Sequence, residues 1–245
     1  MKIFRRESVS VDEENPYWMS FSDIMAGLLI LFILACAVIL LNLTQNQQNF
    51  DKKIDELRKA DAVRRTILHE IQEKLEEKGI SVIVNENDSL VSISSDILGF
   101  ASGDYEVRRQ YHQTALDIGQ VLGDVIRKEE RIKYLDTVFI EGHTDQLRAD
   151  FYGGKGNWGL SAYRAISLWQ FWNDELEPLQ RLDILQNHAG NFLFSVSGYG
   201  KTRPVTSEQT TADQRQKNRR IDIRFTIRHP DLSEFEAVEK KPDLK

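Results

Sequence analysis

Thr137-Val138-Phe139-Ile140-Glu141-Gly142-His143-Thr144-Asp145 decides how the soluble part of this chain is read. The β-branched and aromatic run from Thr137 to Ile140 predicts a strand. Chemistry follows it directly. Glu141, His143 and Asp145 are spaced by two, so a continued extended chain aims all three the same way. One reading is a metal site, an imidazole with two carboxylates. Another is the wall of a pocket for a charged ligand. A third is structural, with Asp145 satisfying loop amides at the strand end. No second ligand cluster accompanies the trio, and His112, His188 and His229 lie in unrelated contexts. The expectation is therefore no metal and no cofactor.

Outward from this strand, short elements alternate. Ile80-Ser81-Val82-Ile83-Val84, the polar turn Asn85-Glu86-Asn87-Asp88 and Leu90-Val91-Ser92-Ile93 predict a hairpin. Residues 106–129 predict a helix with an apolar face of Ala115, Leu116, Ile118, Val121, Leu122, Val125 and Ile126. Leu160 to Leu176 predicts a second helix, with Ser161 as a candidate cap. Phe192 to Val196 reads as a strand, and 200–217 as a polar loop. Ile221, Ile223, Phe225 and Ile227 alternate with Asp222, Arg224, Thr226 and Arg228, a strand with one buried face. The fold class is α+β, an α/β sandwich on a mixed sheet. Residues 229–245 form a polar tail.

The N-terminal part is different in kind. Ile24 to Leu41 is an uncharged run of 18 residues, preceded by Asp23 and by Tyr17-Trp18. That length reads as a transmembrane helix, set at 18–43 after a short tail, 1–17. A carboxylate near the membrane is costly and by default functional; the bland alternative is snorkelling to the headgroups. On a helical wheel Asp23 shares a face with Ser20, Ala26, Gly27, Ile30 and Leu34, and the small residues admit a neighbouring helix. Acidic residues at 12–14 and the length of the run argue against a cleaved signal. Ile33-Leu34-Ala35-Cys36 loosely resembles a lipoprotein site, but the apolar run continues to Leu41. Basic residues flanking the span number three before and four after, which does not set orientation.

Residues 44–78 predict a helical linker, with Phe50, Ile54, Leu57, Leu68, Ile71 and Leu75 at helical spacing. Its stripe is a candidate for self-pairing in a homodimer. The soluble domain is then 79–228. A net charge of −6 argues against nucleic-acid binding. The cluster Arg215, Lys217, Arg219 and Arg220 lacks interleaved aromatics. No P-loop is present, and no enzymatic activity is expected.

Four motifs complete the reading: GHTD at 142–145, NWGLSAYRA at 157–165, G-x-G at 198–200 and NRR at 218–220. In this order they resemble the peptidoglycan-binding domain shared by outer-membrane protein A, the Pal lipoproteins and the flagellar stator protein MotB. The resemblance spans about residues 80–228. It implies that Asp145 holds the ammonium and Arg164 the carboxylate of diaminopimelate in the peptide stem, with Asn157 and Leu160 lining the pocket. A zwitterion fits one carboxylate and one planar guanidinium. Of Arg219 and Arg220, one is expected to structure the site and the other to be a strand-edge charge; Arg219 is taken as the site residue.

Trp18 to Met25 resembles the stator pattern, an aromatic followed by one ion-carrying aspartate. SFSDIMAGLLILFIL looks nearer to the B component of Zorya antiphage defence systems. The resemblance implies a bacterial inner-membrane protein with a cytoplasmic N-terminus and a periplasmic domain. It also implies proton transfer through Asp23, a homodimer, contact with membrane lipids and a MotA-like multi-helix partner, the Zorya A component. A flagellar stator, a passive wall anchor and a periplasmic metalloenzyme are the alternatives.

Overall fold

The computed structural model describes residues 16–100, 103–150 and 152–229. The tail readings at 1–17 and 229–245 fall, except for residues 16, 17 and 229, outside the described residues. The chain divides into two units, Met1–Lys52 and Lys53–Lys245.

Helix α1 runs Pro16–Glu77 and carries the apolar stretch. That stretch is long and apolar enough to cross a membrane. From Phe21 to Leu43 its large apolar side chains are exposed, as befits a surface facing something other than water.

The second unit holds a five-stranded sheet in the order β1-β2-β5-β3-β4. Its strands are β1 (Ile83–Val84), β2 (Leu90–Ser94), β3 (Leu135–His143), β4 (Phe194–Gly198) and β5 (Arg220–Ile227). Only β3 and β4 pair in parallel; the other neighbours are antiparallel. This is the mixed sheet of an α+β fold. Beside the end of α1, the described residues of the unit include helices α2 (His112–Arg127), α3 (Gly156–Glu175) and α4 (Ala212–Asn218).

One face of the sheet is apolar. Ile221, Ile223 and Phe225 of β5 join Val138 and Ile140 of β3 in a core with α2 and α3. Gly119 of α2 lets the helices close up, since a Cβ there would lie 2.7 Å from the Trp172 ring. Trp172 Nε1 donates to Ala115 O at 2.7 Å, which satisfies the one polar atom of a fully buried ring. Between these core positions of β5, Asp222 and Arg224 point to the opposite face and carry charge.

Two readings of the sequence need correction. The stripe Leu68, Ile71 and Leu75 is fully buried in this same core, together with Ile67. That half of the linker is structurally part of the domain, so these residues are not available for self-pairing. Lys78 closes the helix, and Gly79 (φ 76°) stops it. Ile80 N reaches Leu75 O at 2.8 Å and Gly79 N reaches Glu76 O at 2.9 Å, the Schellman pattern. The polar stretch 200–217 is not all loop. Thr211 accepts from Gln214 N while Gln214 Oε1 accepts from Thr211 N, a capping box that starts α4.

Candidate functional site

Strands β3 and β4 end side by side, and α3 crosses closely over both ends. A Cβ on Gly142 would lie 1.9 Å from Ser161 O, and one on Gly198 would lie 2.4 Å from Ala162 N. The glycines of GHTD and G-x-G are thus what lets helix backbone touch strand backbone. Ser161 is not a helix cap: α3 begins five residues earlier, at Gly156. Its Oγ accepts from Gly200 N at 2.8 Å and donates to Trp158 O at 3.0 Å, tying α3 to the turn after β4.

Asp145 lies two residues past β3 and is nearly buried. Its Oδ1 accepts from Leu147 N at 3.0 Å, and its Oδ2 pairs with Arg219 Nη1 at 2.8 Å. Arg219 stands between α4 and β5 and also donates to Gln216, which in turn reaches Ser94 Oγ at 3.1 Å. Asn218, wholly buried, accepts from Val205 N and Thr206 N and donates to Thr206 O. Each residue of NRR therefore has its own task. Asn218 folds the loop, Arg219 reaches Asp145, and Arg220 turns to Asp222.

Arg164 projects from α3 and is 1% exposed. Its Nε donates to Asp104 O at 2.8 Å, and its guanidinium lies 5.5 Å from the centre of the Phe100 ring. Burial, and then the like charge of Arg219, bring its pKa down to about 10, against the pull of Asp145 and Asp104. It remains a cation at neutral pH. Arg164, Arg219, Asp145 and Asp104 thus form one electrostatic group of two guanidinium groups and two carboxylates, in which a guanidinium suits a ligand carboxylate and a carboxylate an ammonium.

Asn157 is bonded into the loop after β3. Its Nδ2 donates to Asp145 O at 3.2 Å and Leu147 O at 2.9 Å, and its Oδ1 accepts from Ala149 N at 2.7 Å. It shapes the loop that carries Asp145. Leu160 is buried beneath the same region, outside the main core cluster. Asp23 lies in α1, exposed, in the other unit.

The trio read from the sequence as a metal candidate is split. Asp145 turns to Arg219, while Glu141 and His143 meet Asp222 across the sheet. Their ligand atoms lie within 4.8 Å of one another, but both carboxylates are taken. Glu141 accepts a two-pronged contact from Arg224 Nε and Nη2, both at 2.9 Å, which raises the Arg224 pKa. Asp222 accepts from Arg220 Nε at 3.0 Å and from Ser92. His143 Nε2 lies 3.2 Å from Asp222 Oδ2, close but poorly aligned for a directed hydrogen bond. Burial pushes the Asp222 carboxyl up, yet contact with His143 and the Arg220 charge hold it below its usual value. A cation entering here must displace two guanidinium groups, so the cluster reads as an ion-pair network that locks β3 to β5.

Asp104, Phe100, Asp222 and Arg224 were not singled out from the sequence as members of this region. For Asp222 and Arg224 the alternation of β5 was the available signal. For Asp104 there was none: its backbone carbonyl takes the bond from Arg164 Nε, and its carboxylate adds a charge nearby.

Residues 99–219 match the OmpA family. That match covers the larger part of the folded unit. Longer stretches of the chain also resemble known proteins. Motility protein B of Bacillus subtilis (strain 168) is 28% identical over 155 residues, covering 63% of this chain. The chain spans about half of that relative's length, 48%. Zorya protein ZorB of Escherichia coli O139:H28 (strain E24377A / ETEC) is 22% identical over 217 residues, 88% of this chain and 82% of that one. A match of that length necessarily reaches past the OmpA-like domain into α1. A crystal structure of a MotB-like protein from Desulfovibrio vulgaris superposes with a TM-score of 0.50 at 20% identity, over 70% of this chain and 99% of that one. At that identity the likeness shows a shared fold.

Proposed function

We propose that this chain is the wall-anchored subunit of an ion-driven, stator-type motor of the inner membrane, of the Zorya defence kind. One observation carries the reading. A single chain joins a membrane-length helix bearing Asp23 to an OmpA-like domain whose Asp145 and Arg164 share one charged site. The long resemblance to ZorB supports the Zorya assignment over a flagellar one. A flagellar stator is the second reading, favoured by the likeness to Motility protein B.

In this reading the helix crosses the membrane once, with the N-terminus cytoplasmic and the domain periplasmic. Two copies set their helices inside a ring of a MotA-like multi-helix partner. Asp23 takes a proton from outside and releases it inward. Its neutral form is tolerated in the low-dielectric site, and its charged form needs a polar partner. One charge crossing the membrane supplies about 2.3 kcal/mol per 100 mV. Outside, Arg164 holds a carboxylate of the peptide stem and Asp145 an ammonium. Arg219 already pairs with Asp145, so it fixes that carboxylate in place. Force then acts against a fixed frame.

The wall half is tested with the full-length protein in detergent, co-sedimented with purified diaminopimelate-type murein. The wild type is expected in the pellet, and Asp145→Ala in the supernatant. Equal sedimentation of both removes Asp145 from the site.

A further inference from the structure

Beside Arg164 runs an open groove of about 490 Å³ that the stem-peptide reading leaves unused. One wall is a single face of α3, formed by Tyr163, Ser167, Gln170 and Asp174. Spacings of four, three and four place these residues in line over roughly 16 Å of helix. The other wall is the loop bearing Tyr105 and Glu106. Tyr105 and Tyr163 meet edge to face at 5.6 Å and 69°, an aromatic corner at one end of the groove.

We propose that this groove seats the amino-sugar strand of the same murein whose peptide stem enters at Arg164. The inference rests on the murein reading above and extends it from the stem to the glycan. Three observations on the groove support it. Its lining suits a sugar: aromatic surface for the apolar face of the ring, and hydroxyl, amide and carboxylate groups for hydroxyls and acetamido N–H. Its charge sorts the two parts of the ligand. Glu106 and Asp174 make the groove acidic, which repels stem carboxylates toward Arg164 and accepts a sugar rich in donors. It is also built onto the clamp. Tyr163 adjoins Arg164 in α3, and the loop with Tyr105 is held by the bond from Arg164 Nε to Asp104 O at 2.8 Å. Three extended stem residues reach at most about 10 Å, which brings the attached sugar to the neighbouring groove and no farther.

The test compares two ligands by calorimetry on the full-length protein in detergent. One is the diaminopimelate-containing stem tripeptide; the other is the same tripeptide on its N-acetylglucosamine–N-acetylmuramic acid disaccharide. The disaccharide form is expected to bind the wild type about tenfold tighter, the worth of one or two added hydrogen bonds. Tyr163→Ala, and separately Ser167→Ala with Gln170→Ala, remove that gain and leave tripeptide affinity within about twofold. Equal affinity of the two ligands for the wild type overturns the proposal, as does a gain that survives both variants. Failure of both ligands to bind the wild type overturns the murein reading itself, a separate outcome.

Discussion

Arg164→Met is expected to lose murein binding by about a hundredfold or more while the domain stays folded. The guanidinium is 1% exposed and backed by the Phe100 ring, so water is poorly placed to replace it once removed. A charge-assisted pair with a carboxylate in such surroundings is worth far more than one at a surface. The charge is held in the fold at a cost, beside the bond by which Arg164 Nε ties the loop at Asp104 O. Burial and Arg219 lower its pKa to about 10, which means that the folded protein disfavours the cation relative to the unfolded chain. The sign is that of a base held at a cost to stability. At neutral pH the cation persists, and its penalty is present at every pH below about 10. Methionine keeps the apolar stem and removes that penalty together with the bond to Asp104 O, so the two effects offset and the melting temperature is expected to change little. Co-sedimentation and a thermal melt on the same sample check both halves. A variant that binds as the wild type, or that fails to fold, contradicts this account of Arg164.

Gly142→Ala is expected to destabilise the domain by about 3 kcal/mol or more, at the upper end for a single added methyl. The added Cβ would lie 1.9 Å from Ser161 O and 2.7 Å from Ser161 C, both backbone atoms. Relief requires α3 to lift from β3. Three features oppose that movement. Gly198 makes a second close contact one strand away, where a Cβ would lie 2.4 Å from Ala162 N, Ser161 Oγ is bonded to Gly200 N, and Leu168 and Trp172 of α3 are fully buried. Lifting α3 also displaces Arg164 from Asp104 O, so murein binding falls with stability. Urea denaturation gives the measurement: a lowered midpoint with an unchanged slope. Wild-type stability in this variant would mean that α3 and β3 are not in backbone contact.

Much of this architecture is legible in the sequence because local rules and tertiary packing agree. The alternation of Ile221, Ile223, Phe225 and Ile227 predicts a half-buried strand, and the structure places the first three in the core. The mixed sheet follows from the mixture of hairpin and crossover spacings. What escapes is pairing. Periodicity shows that Leu68, Ile71 and Leu75 form an apolar face, but the same stripe serves a second helix or the chain's own sheet equally well. The structure puts it in the domain's own core. Spacing aligns Glu141, His143 and Asp145 on one side of an extended chain, yet the strand ends at His143 and Asp145 turns away to Arg219. The true neighbour of Glu141 is Asp222, set by a cross-strand register that no single segment encodes. Thr211 and Gln214 did announce a helix, but in a stretch polar enough to be read as loop. Asn157 illustrates the remaining limit. Its motif marks the site, whereas its three hydrogen bonds give it the part of loop builder.

The central claim is that ion flow through the membrane helix works against a wall-bound domain, and Asp23 is its most exposed point. Asn matches Asp in size and cannot exchange a proton, so Asp23→Asn isolates the charge from the shape. The measurement is inward proton flux, followed with a cytoplasmic pH indicator in cells that express the chain together with its multi-helix partner. Expression and murein co-sedimentation are recorded alongside. The account predicts that Asp23→Asn brings flux to the level of cells lacking the chain, with both controls unchanged. Wild-type flux in Asp23→Asn would contradict it and leave the chain a passive anchor.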